Sequence, residues 1–439
     1  MIAAVLSLVL AVPPRVTCAT PDHGDAAVSP ALTQLRVEFD QDMSTGAWSV
    51  CGGGDTFPRI DGKVRWETPR VLVIPVKLEP SHEYHISMNC PSAHNTRSAA
   101  GEAAEVTPLW FRTSEAPAAP PALPTPQENQ HALDTLQRVV QEEYSYRDRV
   151  VKDWPALFAQ HRAALVQAKS RAAFAREAGR MLAQANDLHV SLAIGDPDGW
   201  NVRFPSAVRS VVPNVDLNTV EAVVPNFRKI SELVSSGSYP DGVLYLAVHE
   251  CSDTAADQAA NVVSEARAPG AVTRVVLDLR RNAGGDELAA RRIAGLFLEK
   301  TRVYSRNRYR DPTAQNGWGP MHDREVLPVP ESDRILVPMA VLVGPCCMSS
   351  CESLVLMLKG APRVTTIGTR TYGSSGNPRR TDLGNGVAVW MSSWEDFGPA
   401  GEPVEGVGVA PDVQVRTDPG DFQASDPVLE RALKALRKE

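Results

Sequence analysis

Residues 114–128 read SEAPAAPPALPTPQE, with five prolines between Pro117 and Pro126, and this segment limits the fold more than any other. Proline fixes φ and lacks an N–H, so the segment can join neither a helix interior nor a central strand. It reads as a stiff, extended linker over 115–128 and divides the chain in two. At roughly 100–200 residues per domain, 439 residues predict two to three domains. A hydrophobic content of 43% beside 22% charged residues is enough to bury sizeable cores.

Upstream of the linker, residues 21–114 read as β-structure. Leu35-Arg-Val-Glu-Phe39 alternates apolar and polar residues, and Arg70–Val76, Tyr84–Met88 and Leu109–Phe111 continue the pattern between Gly, Pro, Asp and Asn clusters. Short strands at this spacing predict a sandwich. Phe39, Met43, Leu78, Pro80, Tyr84 and the closing Phe111-Arg-Thr113 give the region a resemblance to the bacterial Ig-like domain. Cys51 and Cys90 fall inside it, and are either a disulfide, which implies an oxidising compartment, or two buried thiols. The start, MIAAVLSLVLAVPPRVTCAT, has the apolar run and small-residue zone of an export signal over 1–20 but lacks its positively charged beginning. The run is too short to span a bilayer, and no later segment predicts a transmembrane helix. Secretion, a periplasmic location or attachment to the cell envelope is the expectation. A net charge of −7, with no long basic run, argues against a nucleic-acid partner.

Downstream, residues 129–189 carry helical period, with Ser170 placed to cap the third helix and Pro155 in the first turn of the second. From 190 to 425 strands and helices alternate, which predicts a layered α/β core. Strands are expected at Val243–Val248, Val275–Leu279 and Met339–Val343, and helices over 254–267, 287–299 and 350–359.

Two strand-to-helix junctions in this core can hold chemistry. In one, Val341 to Leu358 runs from a strand through Cys-Cys-Met-Ser-Ser-Cys-Glu into an apolar helix. The free N–H groups at such a helix start can bind an oxyanion. Taken alone, Ser349 or Ser350 is equally an N-cap. In the other, Asp278-Leu-Arg-Arg-Asn-Ala-Gly-Gly285 places paired glycines where φ > 0 or a close backbone approach is needed. GxSxG, HExxH and GxxxxGK[ST] are absent. His249-Glu-Cys251 reads as a strand end, since two ligand types two residues apart do not make a zinc site.

The order of Asp278–Gly285, Ser349–Glu352, Gly368–Gly376 and Gly408–Asp412, after an upstream Asp187-Leu-His189, resembles the C-terminal processing (tail-specific) and tricorn-type serine peptidases over roughly 129–416. The resemblance implies a multidomain chain with a crotonase-like α/β catalytic core, a peptide or protein substrate, and no metal or organic cofactor. It places the nucleophile on Ser349 and the oxyanion hole on the N–H groups of Ser350 and of Gly284 or Gly285. Glu352 would orient the turn or cap the helix. The processing branch carries a lysine in the TxGKG segment, where this chain has Ser374. Arg370, Arg379 and Arg380 stay protonated and cannot replace it. The base expected is then His189, supported by Glu405, as in the tricorn branch. That branch has a serine before the histidine; here the residue is Leu188, and Asp187 either takes its role or caps a turn. The function expected is a serine peptidase with a Ser-His-Glu site. The alternative is a noncatalytic ligand- or peptide-binding protein on the same scaffold.

Overall fold

The computed structural model describes residues 12–117, 119, 122–197, 199–207, 211–268 and 271–438. The apolar part of the expected leader, up to residue 11, lies outside them. The described chain forms two compact units. The first takes in Met1–Gln141, Asp148–Ala207 and Arg379–Trp390; the second takes in Glu142–Arg147, Val208–Pro378 and Met391–Glu439.

In the first unit, Gln34–Phe39 pairs with Val16–Thr20 on one side and Val71–Lys77 on the other. A second sheet joins Val50–Cys51, Glu83–Met88 and Thr107–Arg112. Alternation sends Leu35, Val37 and Phe39 from one sheet, and Tyr84, Ile86 and Met88 from the other, into one shared core. Cys51 and Cys90 form a disulfide with Cα atoms 6.2 Å apart, within ordinary disulfide reach. Val16–Thr20, which the sequence places in a cleavage zone, is a paired strand of this sheet.

Three helices follow, Pro126–Glu142, Trp154–Val166 and Arg171–Leu182. Ser170 accepts from Ala173 N at 3.1 Å and caps the third. Asp153 caps the second, with Pro155 in its first turn. A four-stranded sheet in the order Asn201–Pro205, Ser191–Gly195, Ala388–Ser392 and Pro378–Asp382 completes this part.

The second unit is built on a seven-stranded sheet. Its strands, in spatial and chain order, are β1 (Arg228–Lys229), β2 (Val234–Ser238), β3 (Val243–Val248), β4 (Arg274–Asp278), β5 (Met339–Val343), β6 (Val364–Gly368) and β7 (Val413–Gln414). The first three pair antiparallel and the rest parallel. Helices α1 (Asp253–Ala266), α2 (Glu287–Gly295) and α3 (Ser350–Leu358) share a core with Leu244, Leu246, Leu277 and Val341. Helix α4 (Pro427–Arg437) packs with the alternate residues Tyr245, Val276, Ala340 and Leu342, on the opposite face. Strands buried on both faces explain the unbroken apolar runs of β3 and β5.

Helix α2 is shorter than the periodicity predicts. It stops at Gly295 because the 327–329 segment crosses there: Val329 N takes the Gly295 carbonyl at 3.1 Å, and a Cβ on Gly295 would lie 2.9 Å from Leu327 O. A small sheet of His322–Val326, Arg302–Tyr309 and Trp394–Phe397 stands beside these helices in the same unit. Among the described residues no helix is long and apolar enough to cross a membrane.

Candidate active site

Strand β4 ends in Asp278, and the chain turns through Arg280 and Asn282 into Gly284-Gly285 before α2. Arg280 is fully buried. It binds Asp278 at 2.6 Å, Asp426 at the N-cap of α4 at 2.7 Å and the Asn214 carbonyl at 3.0 Å. Tyr245 Oη closes the cluster on Asp278 at 2.9 Å. The two carboxylates hold Arg280 protonated well above its ordinary range against the cost of burial. The Asp-Leu-Arg part of the motif is therefore an internal pillar between sheet and helix.

Asn282 shapes the glycine pair. Its Oδ1 accepts from Gly284 N at 2.8 Å and its Nδ2 donates to Val248 O at 3.2 Å. Gly284 O and Asp286 N both pair with Cys251, at 2.8 and 2.6 Å. The Gly285 carbonyl accepts from Ser350 Oγ at 2.7 Å. Gly284 and Gly285 have φ of +101° and +129°. A Cβ on Gly284 would meet Met348 O at 2.7 Å and Ser349 Cβ at 2.9 Å, so glycine is what lets this loop reach the serine turn.

That turn lies between β5 and α3. Ser349 occupies the N-cap position with φ +53° and ψ −125°. A serine held there costs about 1–3 kcal/mol, a strain concentrated at functional sites. Its side chain makes no capping hydrogen bond to α3. Ser349 thus stands at the N-cap position without capping through its side chain, while Ser350 is fastened to Gly285. A strained strand-to-helix serine without GxSxG has the same local geometry as a nucleophile elbow.

Glu352, in the first turn of α3, is 1% exposed. Its Oε1 accepts from Thr371 Oγ1 at 2.5 Å and Gly373 N at 2.8 Å, and its Oε2 from Ser374 N at 2.7 Å. Burial pushes its carboxyl up to about 7, against the pull of those donors. It clamps the 371–374 loop to the serine turn, and Ser349 N donates to Ser374 O at 2.8 Å. The next N–H, of Ser375, donates to Glu405 Oε2 at 2.7 Å. The same loop meets the 405–409 segment through Gly406 N to Gly373 O at 2.8 Å and Val409 N to Thr371 Oγ1 at 2.6 Å. Asp412, at the end of that segment, accepts from Thr366 N at 2.9 Å and pairs with Lys359.

Ser349, Ser350, Gly284, Gly285, Glu352 and Glu405 are thus gathered in the second unit. His189 and Asp187 lie together in the first. Asp187 is fully buried and accepts from His189 N at 2.9 Å, while His189 Nδ1 lies 4.0 Å from Asp187 Oδ1. Burial pushes the imidazole below its ordinary range, partly offset by the Asp187 charge.

One residue that sequence reasoning missed is Tyr146. Buried in the second unit, its Oη lies 3.3 Å from Ser375 Oγ and accepts from Asp396 N at 3.1 Å. Burial first, then the nearby Glu405 charge, keep its hydroxyl protonated well above the usual range. Nothing in Tyr144-Ser-Tyr-Arg147 marks it beforehand.

Comparison with known proteins agrees with the motif reading. Residues 242–415 match the model of Peptidase family S41. The chain is 31% identical over 197 residues to carboxyl-terminal-processing peptidase 3 of Arabidopsis thaliana, covering 43% of this chain and 35% of that protein. It is 28% identical over 233 residues to the carboxyl-terminal-processing protease of a Picosynechococcus species, covering 52% of this chain and 49% of that protein. The chain thus spans about half or less of the length of the curated relatives it matches. Among solved structures, a candidate peptidase from Parabacteroides merdae superposes with a TM-score of 0.58 at 23% identity, over 71% of this chain and 96% of that one. The resemblance to the C-terminal processing peptidases drawn from the motifs holds.

Proposed function

We propose that this chain, whose residues 242–415 match Peptidase family S41, hydrolyses peptide bonds with Ser349 as nucleophile. The observation that carries the reading is the strained Ser349 turn packed against the Gly284-Gly285 loop. Ser349 Oγ attacks the scissile carbonyl carbon while its proton passes to His189. Burial favours the neutral imidazole, the form a base needs. The carbonyl oxygen becomes an oxyanion facing the N–H groups of Ser350 and Gly285. Gly284 N is committed to Asn282, so Gly285 is the better second donor. Collapse breaks the C–N bond, and the leaving amine takes the proton from His189. Water, giving a proton to His189, then releases the acyl group as an acid and restores Ser349. Glu405 stabilises the imidazolium form, and Asp187 orients the His189 segment.

The sandwich of residues 21–114 reads as an Ig-like module and the second unit as a crotonase-like core, in a protein exported from the cytoplasm. The Cys51–Cys90 disulfide supports an oxidising compartment. Cleavage after residue 20 would remove the paired strand Val16–Thr20, so processing upstream of Val16 fits better.

A noncatalytic peptide-binding role on this scaffold is favoured by Ser374 and Leu188, which stand where the two resembled branches place a lysine and a serine. Labelling by a fluorophosphonate separates the readings. Covalent labelling that disappears in Ser349→Ala and falls sharply in His189→Asn is expected. An unlabelled wild-type protein, or labelling that survives Ser349→Ala, refutes the nucleophile.

A further inference from the structure

The second unit buries a cation that none of the matched motifs contains. Arg324, on strand His322–Val326, is 6% exposed. Its Nη1 donates to Asp396 Oδ1 at 2.9 Å and to Ser305 Oγ at 3.1 Å. Its Nη2 donates to Ser353 Oγ at 3.3 Å and is ion-paired with Glu287. The guanidinium also stacks 4.2 Å from the Trp394 ring centroid.

These partners have defined places around the proposed site. Glu287 opens α2, two residues after Gly285. Ser353 lies one turn into α3, where its N–H donates to Ser349 O at 3.2 Å. Asp396 N donates to Tyr146 Oη, which touches Ser375, whose own N–H binds Glu405. One planar fork therefore spans the helix after the glycine loop, the helix after the serine turn, and the approach to Glu405.

Stability alone does not account for such a group. Removing a guanidinium and two carboxylates from water is expensive, and packed apolar side chains would fill the space at no greater cost. Directional bonds supply what apolar packing lacks, a fixed distance between two helix starts. The proposed oxyanion hole takes one N–H from each side of that gap, and misplacement by about 1 Å can cost two orders of magnitude in rate.

We infer that Arg324 is a positioning residue, holding the Gly285 and Ser350 N–H groups at their working separation through Glu287 and Ser353. This rests on the Ser349 reading above. The test is the kinetics of inactivation by a fluorophosphonate, resolved into Ki and kinact and normalised to folded protein, for Ser353→Ala and Arg324→Gln. Ser353→Ala leaves Arg324 paired with Glu287 and Asp396, so it decides the matter if Arg324→Gln fails to fold. The expected result is a kinact lower by roughly tenfold with Ki within about twofold, since the groups that bind the probe remain while their spacing relaxes. A brace that serves only the fold would lower Tm and leave kinact per folded molecule unchanged. Wild-type kinact in folded Ser353→Ala overturns the inference and leaves the nucleophile standing. Wild-type labelling that persists in Ser349→Ala overturns both.

Discussion

Glu352→Gln tests the clamp between the serine turn and the 371–374 loop. The carboxylate accepts from three donors, Thr371 Oγ1, Gly373 N and Ser374 N. Glutamine offers one oxygen and one NH2, so in either orientation a main-chain N–H faces a donor. Leaving one buried N–H unsatisfied costs about 1–3 kcal/mol. The wild-type residue has its own cost, which depends on pH. Its folded pKa is raised from 4.5 to about 7. Between those values the folded state holds a proton that the unfolded state has released, so stability falls as pH rises. The advantage is fully present below pH 4.5 and lost above about pH 7. At about 1.4 kcal/mol per unit the total is about 3.5 kcal/mol. Glutamine does not titrate. The stability gap between wild type and variant should therefore be widest near pH 5 and shrink by about 3 kcal/mol by pH 8. Urea unfolding of both proteins across that range measures it, since the groups they share cancel in the difference. A gap constant with pH would refute the buried-carboxylate argument.

Gly284→Ala should cut fluorophosphonate labelling by about a hundredfold, because its Cβ would meet main-chain Met348 O at 2.7 Å and force the serine turn aside; wild-type labelling would show that the loops do not interlock. Asp426→Asn leaves the buried Arg280 short of one of its two carboxylates and should cost about 3–5 kcal/mol in urea unfolding. Replacing Cys51 and Cys90 together by serine should lower stability by about 4 kcal/mol, from a sequence separation of 39. Thermal melts with and without reductant measure this, and an unchanged melting point on reduction would contradict it.

Much of the layered core was legible in the sequence because buried parallel strands and strand-to-helix junctions write themselves locally. Ser170 shows the same for caps, since its role needs only the next three residues. What stayed hidden depends on partners far apart in sequence. Arg280 reads as part of a loop motif, yet its second carboxylate stands 146 residues on, at Asp426. The sequence left Glu352 between orienting the turn and capping the helix, and no periodicity shows that its donors are main-chain N–H groups of the 371–374 loop. Tyr146 and Arg324 carry no local signal, because a buried polar residue looks like a surface one until its partners are known. Even the proposed preference for Ser349 over Ser350 rests on a backbone angle and a hydrogen bond that the sequence does not show.

Glu352 holds the 371–374 loop through two main-chain N–H groups and one threonine hydroxyl. The Ser374 donor is a main-chain N–H, which any residue but proline supplies. A substitution at 374 therefore leaves this main-chain contact between Glu352 and the loop beside the Ser349 turn in place.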